Sequence, residues 1–266
     1  MEPYVALMRR YCIDYTSAHD ATVCDDIMSP DYRITISGRT MGMDDYRGAV
    51  EAAFRRYPTL VLTVHDMILS GDRLAMRFSE HGAAADDPDH VAVWQGISLY
   101  RWDGTRLLTC RVEQDFAGRD EQTASGITAP LEPGHPDPWA TTRDVSGDTA
   151  AEATVRAWLE DVASDPAAEL TRPGVRMMER GTPLALLDDA EVVVDDLFSA
   201  DDRVAAGVTV RGTYTGGLDV DDAAIGTPCE LPVTLLARVE NGALASAEVV
   251  RDVWGLERRL RKALRA

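Results

Sequence analysis

Val5, Leu7, Met8, Cys12 and Ile13 recur at helical spacing from Tyr4 to Tyr15, and Ser17 to Asp20 break the pattern, so the chain is expected to open with a helix. Ala21 to Met28 fits a short second helix that stops at Ser29-Pro30, because a residue before proline avoids helical backbone geometry. Tyr32 to Ser37 alternates like a strand. Met43 to Arg56 returns to the helical period with Asp44 and Asp45 in its first turn. Four strand-like runs follow, Leu60 to Leu69, Arg73 to Gly82, His90 to Trp102 and Thr105 to Phe116. Ser70-Gly71-Asp72 and Asp103-Gly104 fall between them as hairpin turns.

Periodicity is lost between Ala117 and Gly147, where Pro130, Pro133, Pro136 and Pro138 fall among several glycines. This predicts a linker over 118–147 between a first domain, 1–117, and a second, 148–266. The earlier order then recurs in shortened form. A helix is expected from Thr149 to Val162 and an irregular stretch from Asp165 to Gly174. Strands are expected near Val175 to Glu179, Glu191 to Phe198, Arg203 to Tyr214, Cys229 to Val239 and Ala243 to Val253. The segment Ser70 to Gly82, SGDRLAMRFSEHG, has its counterpart in Ala200 to Gly212, ADDRVAAGVTVRG, and Asn241-Gly242 takes the place of Asp103-Gly104. Two units of helices followed by antiparallel hairpins make the fold class α+β. In the second unit Arg180 to Asp188 is too short to replace the helix Met43 to Arg56, so its cavity is expected to be reduced and its role structural.

Composition narrows the function classes. A chain of 266 residues with 45% hydrophobic content can fill two cores. No apolar run approaches the roughly 18 residues of a membrane span, and MEPYVALMRR lacks a signal pattern, which together imply a cytoplasmic protein. A net charge of −18 argues against nucleic acid and anionic membrane as partners and leaves a small apolar molecule. The basic end LERRLRKALRA is read as a helix terminus favoured by its dipole. Cys12, Cys24, Cys110 and Cys229 have neither metal-ligand nor disulfide-framework spacing. No nucleotide-binding glycine loop, GxSxG or HExxH occurs, so neither a cofactor nor a metal is expected.

The segments SAHDATVCDDIMSPDYRIT, FRRYPTLVLTVHDMILSGDRLAMRFSEHG and GISLYRWDGTRLLTCRVEQD together resemble the SnoaL-like polyketide cyclases of the nuclear transport factor 2 superfamily. The resemblance spans about residues 4 to 116 and, more faintly, 149 to 254. It implies two tandem cone-shaped units, each a curved antiparallel sheet packed by N-terminal helices, the second degenerate. It also implies cyclase, isomerase, dehydratase or epoxide hydrolase chemistry, or plain ligand binding, because this fold hosts all of them. Aligned on Asp103-Gly104, the cyclase acid/base aspartate falls at Val112 and its partner histidine at Gln95. The ketosteroid isomerase base falls near Ile36 and its proton-sharing aspartate near Ser98. The family's usual proton-transfer groups are therefore replaced. An epoxide hydrolase cluster would need Arg251 and Asp252, which as strand neighbours face apart.

The polar residues that remain suggest a cofactor-independent enzyme acting on a small, mostly apolar carbonyl compound, polyketide- or steroid-like, in the first cavity. Tyr15 is the expected hydrogen-bond donor to an enolate and His81 the base, with Asp115 as a carboxylate at the cavity mouth. Tyr32, His65, Trp94 and Gln95 are expected to place the substrate. The alternative is a non-catalytic ligand-binding or scaffold protein. On either reading the chain is expected to be a monomer whose halves form an internal pseudo-dimer, or a weak homodimer.

Overall fold

The N-terminal helical pattern folds as α1 (Pro3–Arg9), which runs without a break into a π-helical stretch, Arg10–Ser17, whose wider turn is visible where Ala18 N–H donates to Ile13 C=O. The computed structural model describes residues 1–133, 136–179 and 181–265. A single 3₁₀ turn, Ala21–Val23, leads into α2 (Cys24–Ile27), and the chain becomes extended at β1 (Met28–Ile36). The short strand β2 (Arg39–Gly42) precedes α3 (Met43–Arg56), and β3 (Val61–Ser70), β4 (Arg73–Ala84), β5 (Asp87–Trp102) and β6 (Leu107–Gln114) complete a six-stranded sheet in the order β2-β1-β6-β5-β4-β3. Every pair is antiparallel except β1 with β6, which run parallel.

The segment predicted as a linker begins with a helix, α4 (Phe116–Ser125), and includes the short α5 (Pro138–Thr141). Asp115 caps α4 by accepting from Gly118 N–H, and Gly126, at φ 68°, ends it in the left-handed conformation that glycine adopts without steric cost. The second unit comprises α6 (Thr149–Ser164), α7 (Pro166–Glu169), β7 (Val175–Met177), β8 (Leu187–Ala200), β9 (Arg203–Tyr214), β10 (Pro228–Glu240), β11 (Ala243–Arg251) and α8 (Val253–Ala263). Its sheet has the order β7-β11-β10-β9-β8, again with one parallel pair, β11 with β7. This is the first sheet's order with no equivalent of β2 among the described residues. Gly134 and His135 of the predicted linker, Arg180 of the shortened segment, and Ala266 of the basic end lie outside the described residues.

Each sheet has an inner face against its own helices and an outer face against the other sheet. The outer faces meet through Ile68, Ile97 and Leu99 on one side and Phe198, Leu236 and Val250 on the other. Arg73 pairs with Asp196 and Arg203 pairs with Asp66 at the margins of this contact. Thr234 donates to Ile97 C=O within it, at 3.0 Å. No helix is long and apolar enough to cross a membrane among the described residues.

Candidate active-site cavity

The inner face of the first sheet, the π-helical stretch and α3 enclose a cavity of about 460 Å³, within the range of small-ligand sites. Its walls are mostly apolar, with Met76 and Phe78 from β4, Val112 from β6 and Phe54 from α3. Gly96 makes one wall possible, because the Phe78 ring lies where a Cβ at that position would stand. Period-two alternation along β4 puts Met76, Phe78 and Glu80 on the cavity side. Glu80 sits opposite Trp94 in the β4–β5 register, and Gln114 closes the same floor from β6.

These three polar side chains form one unit. Trp94 Nε1–H donates to Glu80 Oε2 at 2.9 Å and to Gln114 Oε1 at 2.8 Å. Glu80 Oε1 has no protein partner among the described residues. Burial pushes the Glu80 carboxyl up to about 7, although the Trp94 hydrogen bond and the Arg119 charge act in the opposite direction. The carboxyl thus titrates where a general acid or base works at neutral pH. Tyr57, whose ring centroid lies 5.4 Å from that of Trp94, lines the same cavity and has a buried hydroxyl without a partner among the described residues. Arg119 lies over the rings of Phe116, Tyr57 and Trp94 at 4.6, 5.4 and 5.6 Å, with its guanidinium tied to Asp120 at 2.8 Å. The second unit reaches into this site: Trp254 and Arg258 of α8 line the cavity, and Trp254 Nε1–H donates to Asp120 at 3.0 Å.

Of the residues expected from sequence, only Trp94 lines the cavity. Tyr15 and His81 do not converge. Tyr15 is packed one layer behind the wall, edge-on to Tyr11 and Phe54, and burial holds its hydroxyl well above the usual phenol range. Tyr32 lies beside Tyr46 in the same buried layer. His81 is on the opposite face of β4, where Ser79 Oγ bridges it to His65 at 2.7 and 2.8 Å, so neither imidazole reaches the cavity. Burial also lowers the His81 pKa below its ordinary value. Gln95 likewise faces away and lines an outer groove beside α4. Asp115 is the α4 cap, and Asp252 caps α8 in the same manner through Gly255 N–H, at 2.8 Å in each case.

Glu80 and Gln114 were legible in principle, since Met76-x-Phe78-x-Glu80 is an inward-facing series that ends in a carboxylate. The second unit's inner cavity is only about 60 Å³, lined by side chains such as Leu186, Val208, Val210, Leu231 and Val233. Its one charged wall residue among the described residues, Arg251, is neutralised by buried Glu179 and donates to Leu184 C=O and Pro183 C=O.

No curated protein matches the chain. Solved structures that superpose on it include a candidate polyketide cyclase from Acidithiobacillus ferrooxidans, 17% identical, covering 47% of this chain and 97% of that one with a TM-score of 0.43. A candidate SnoaL-like polyketide cyclase from Jannaschia is 18% identical over 48% of this chain and 94% of that one, with a TM-score of 0.41. IdmH from Streptomyces antibioticus, also described as a candidate polyketide cyclase, is 16% identical over 47% of this chain and 99% of its own, with a TM-score of 0.42. The family model for the SnoaL-like domain matches residues 8–109, from the first helix to β6, and the first unit therefore carries a SnoaL-like domain.

Proposed function

We propose that the chain is a cofactor-independent enzyme of the cyclase, isomerase or dehydratase kind, and that it moves a proton on a mostly apolar carbonyl compound in the first-unit cavity. The observation that carries this reading is Glu80, a single carboxyl in an apolar chamber, fixed through one oxygen and open through the other. In its ionised form Oε1 would take the proton α to a carbonyl, and the resulting acid would return it to another carbon or to a leaving oxygen. Tyr57 hydroxyl and the Gln114 amide are the donors available to the oxygen on which negative charge develops. The polyketide cyclase descriptions of similar structures agree with this chemistry, and the SnoaL-like domain match supports it. The second unit serves as the fixed partner of an internal pseudo-dimer. The paired exchanges Arg73 with Asp196 and Arg203 with Asp66 support that arrangement, since they are one contact taken twice with the units swapped.

The test is proton exchange. A panel of β-diketones and β-ketoesters in D2O, followed by NMR, should include compounds whose α-proton exchange the protein accelerates, with a rate that rises with pH through about 7. Glu80→Gln, which keeps an acceptor for Trp94, should lower that rate by roughly a hundredfold or more. His81→Gln should leave it intact. A Glu80→Gln protein with full exchange activity would defeat the proposal.

A further inference from the structure

The mouth of the cavity carries more positive charge than its chemistry requires. Arg39 from β2, Arg56 from the end of α3, Arg119 from α4 and Arg258 from α8 all line it, and four separate elements converge to place them there. Among the described residues Asp120 is the one carboxylate that pairs with any of the four, holding Arg56 at 3.3 Å and Arg119 at 2.8 Å. Arg39 and Arg258 have no carboxylate partner among the described residues. Arg258 lies over the Trp254 ring at 4.4 Å, an arrangement that fixes its direction without neutralising it. Both are exposed. In a chain of net charge −18, where acidic side chains outnumber basic ones by 45 to 27, two guanidiniums at one opening without counter-charges are an unusual local concentration. They also face a cavity whose single carboxyl, Glu80, is held at its floor by Trp94.

We infer that the ligand of this cavity is an amphiphilic anion, with an apolar body that fills the chamber and an acidic head group bound at the mouth between Arg39 and Arg258. The inference rests on the reading of the first-unit cavity as the working site and gives its substrate class. It replaces a wholly apolar molecule with an organic acid. A guanidinium offers a planar pair of donors to a carboxylate or sulfonate, and a positive opening in a negative protein draws such an anion inward against the repulsion of the rest of the surface. One of the two arginines comes from the second unit, so head-group selection would depend on both halves of the chain. The position also separates functions, with the charge of the substrate read at the rim and the proton moved at the floor.

Two dyes that share a skeleton test this. 8-Anilinonaphthalene-1-sulfonate carries the anionic head, and N-phenyl-1-naphthylamine is the same body without it. In fluorescence titrations of the full chain at low salt, the sulfonate should bind at least tenfold more tightly. The double substitution Arg39→Gln/Arg258→Gln should remove most of that preference while leaving the neutral dye's affinity within about twofold. The preference should also shrink as salt is raised, because exposed charges are screened over about a Debye length. Arg156→Gln, on the exposed side of α6 and not among the residues that line the cavity, should change neither dye. Equal affinities in the unaltered protein, or a preference that survives the double substitution, or one lost equally in Arg156→Gln, would overturn the anion inference while the cavity reading stands on the neutral dye. Failure of both dyes to bind would overturn the two together.

Discussion

The two units place different residues at matching points of nearly the same sheet. The paired registers set Phe78, Glu80, Trp94, Gly96 and Gln114 of the first sheet against Val208, Val210, Leu231, Val233 and Arg251 of the second. In the first unit these positions leave about 460 Å³ of space and an open carboxylate oxygen. In the second they leave about 60 Å³, closed by aliphatic side chains and by an arginine already matched to Glu179. A carboxyl group and a glycine on the first sheet stand where the second has valines, and the second unit also lacks counterparts of β2 and α3 among the described residues. The inward positions of the second unit are filled in the way a hydrophobic interior is ordinarily filled.

The largest effect is expected where the filled side is broken. Arg251→Leu would leave Glu179 buried without its cation, at a cost of about 3–5 kcal/mol. In calorimetry this should appear as a fall in Tm of roughly 10 °C, at the scale usual for chains of this size. Next in size is the exchange of the distinguishing carboxyl. Glu80→Val, which installs the second unit's residue, should remove at least a hundredfold of proton-exchange rate, and with it the pH dependence near 7. It should also stabilise the protein. A carboxyl whose folded pKa is raised from the ordinary 4.5 to about 7 contributes stability that is full below the unfolded value and is lost as pH rises through the folded one. The Tm difference between Glu80→Val and the unaltered chain should therefore grow between pH 5 and pH 8, and a constant difference would contradict the assigned environment.

A smaller change is expected from Gly96→Val, again the second unit's residue. Its Cβ would enter the space of the Phe78 ring and push it into the chamber, which should abolish binding of the neutral dye and cost about 1–3 kcal/mol. The smallest effects belong to the swapped ion pairs. Arg73→Gln and Arg203→Gln should each lower stability by no more than about 1 kcal/mol, because Asp196 keeps Arg101 as a second partner and the Arg203–Asp66 pair is half-exposed. Similar losses from the two would support the paired arrangement, whereas a large loss from one alone would break it.

The strands were readable from their apolar, β-branched runs and the glycine-containing turns between them, although β4, β5 and β10 bury both faces over their middle residues. Helix α3 starts and ends at the residues its pattern predicts, Met43 and Arg56. Strand β2 was not readable, since its four residues bury only Met41. Helix α4 was hidden by its setting in a proline- and glycine-rich stretch, although Asp115 and Gly126 mark its two ends. The site was harder for a different reason. His81 and Glu80 are adjacent, so which of them meets the cavity is a matter of sheet face, and the expectation fell on the residue with the more familiar chemistry rather than on the one in line with Met76 and Phe78. Trp254 and Arg258 carried no local sign at all, because their part in the first cavity depends on how the second unit packs.

That last contact has a bearing on how the protein is made. When a ribosome has released β6 and α4, the growing chain already holds Glu80, Trp94 and Gln114, yet the residues that finish the opening lie in α8, beyond the entire second sheet. Until α8 is added, two of the residues that line this cavity are missing. A chain stopped before α8 would keep Glu80 and lack Trp254 and Arg258 at the cavity. On the proposed reading, selective binding would therefore require the whole second sheet and α8 as well as the first unit.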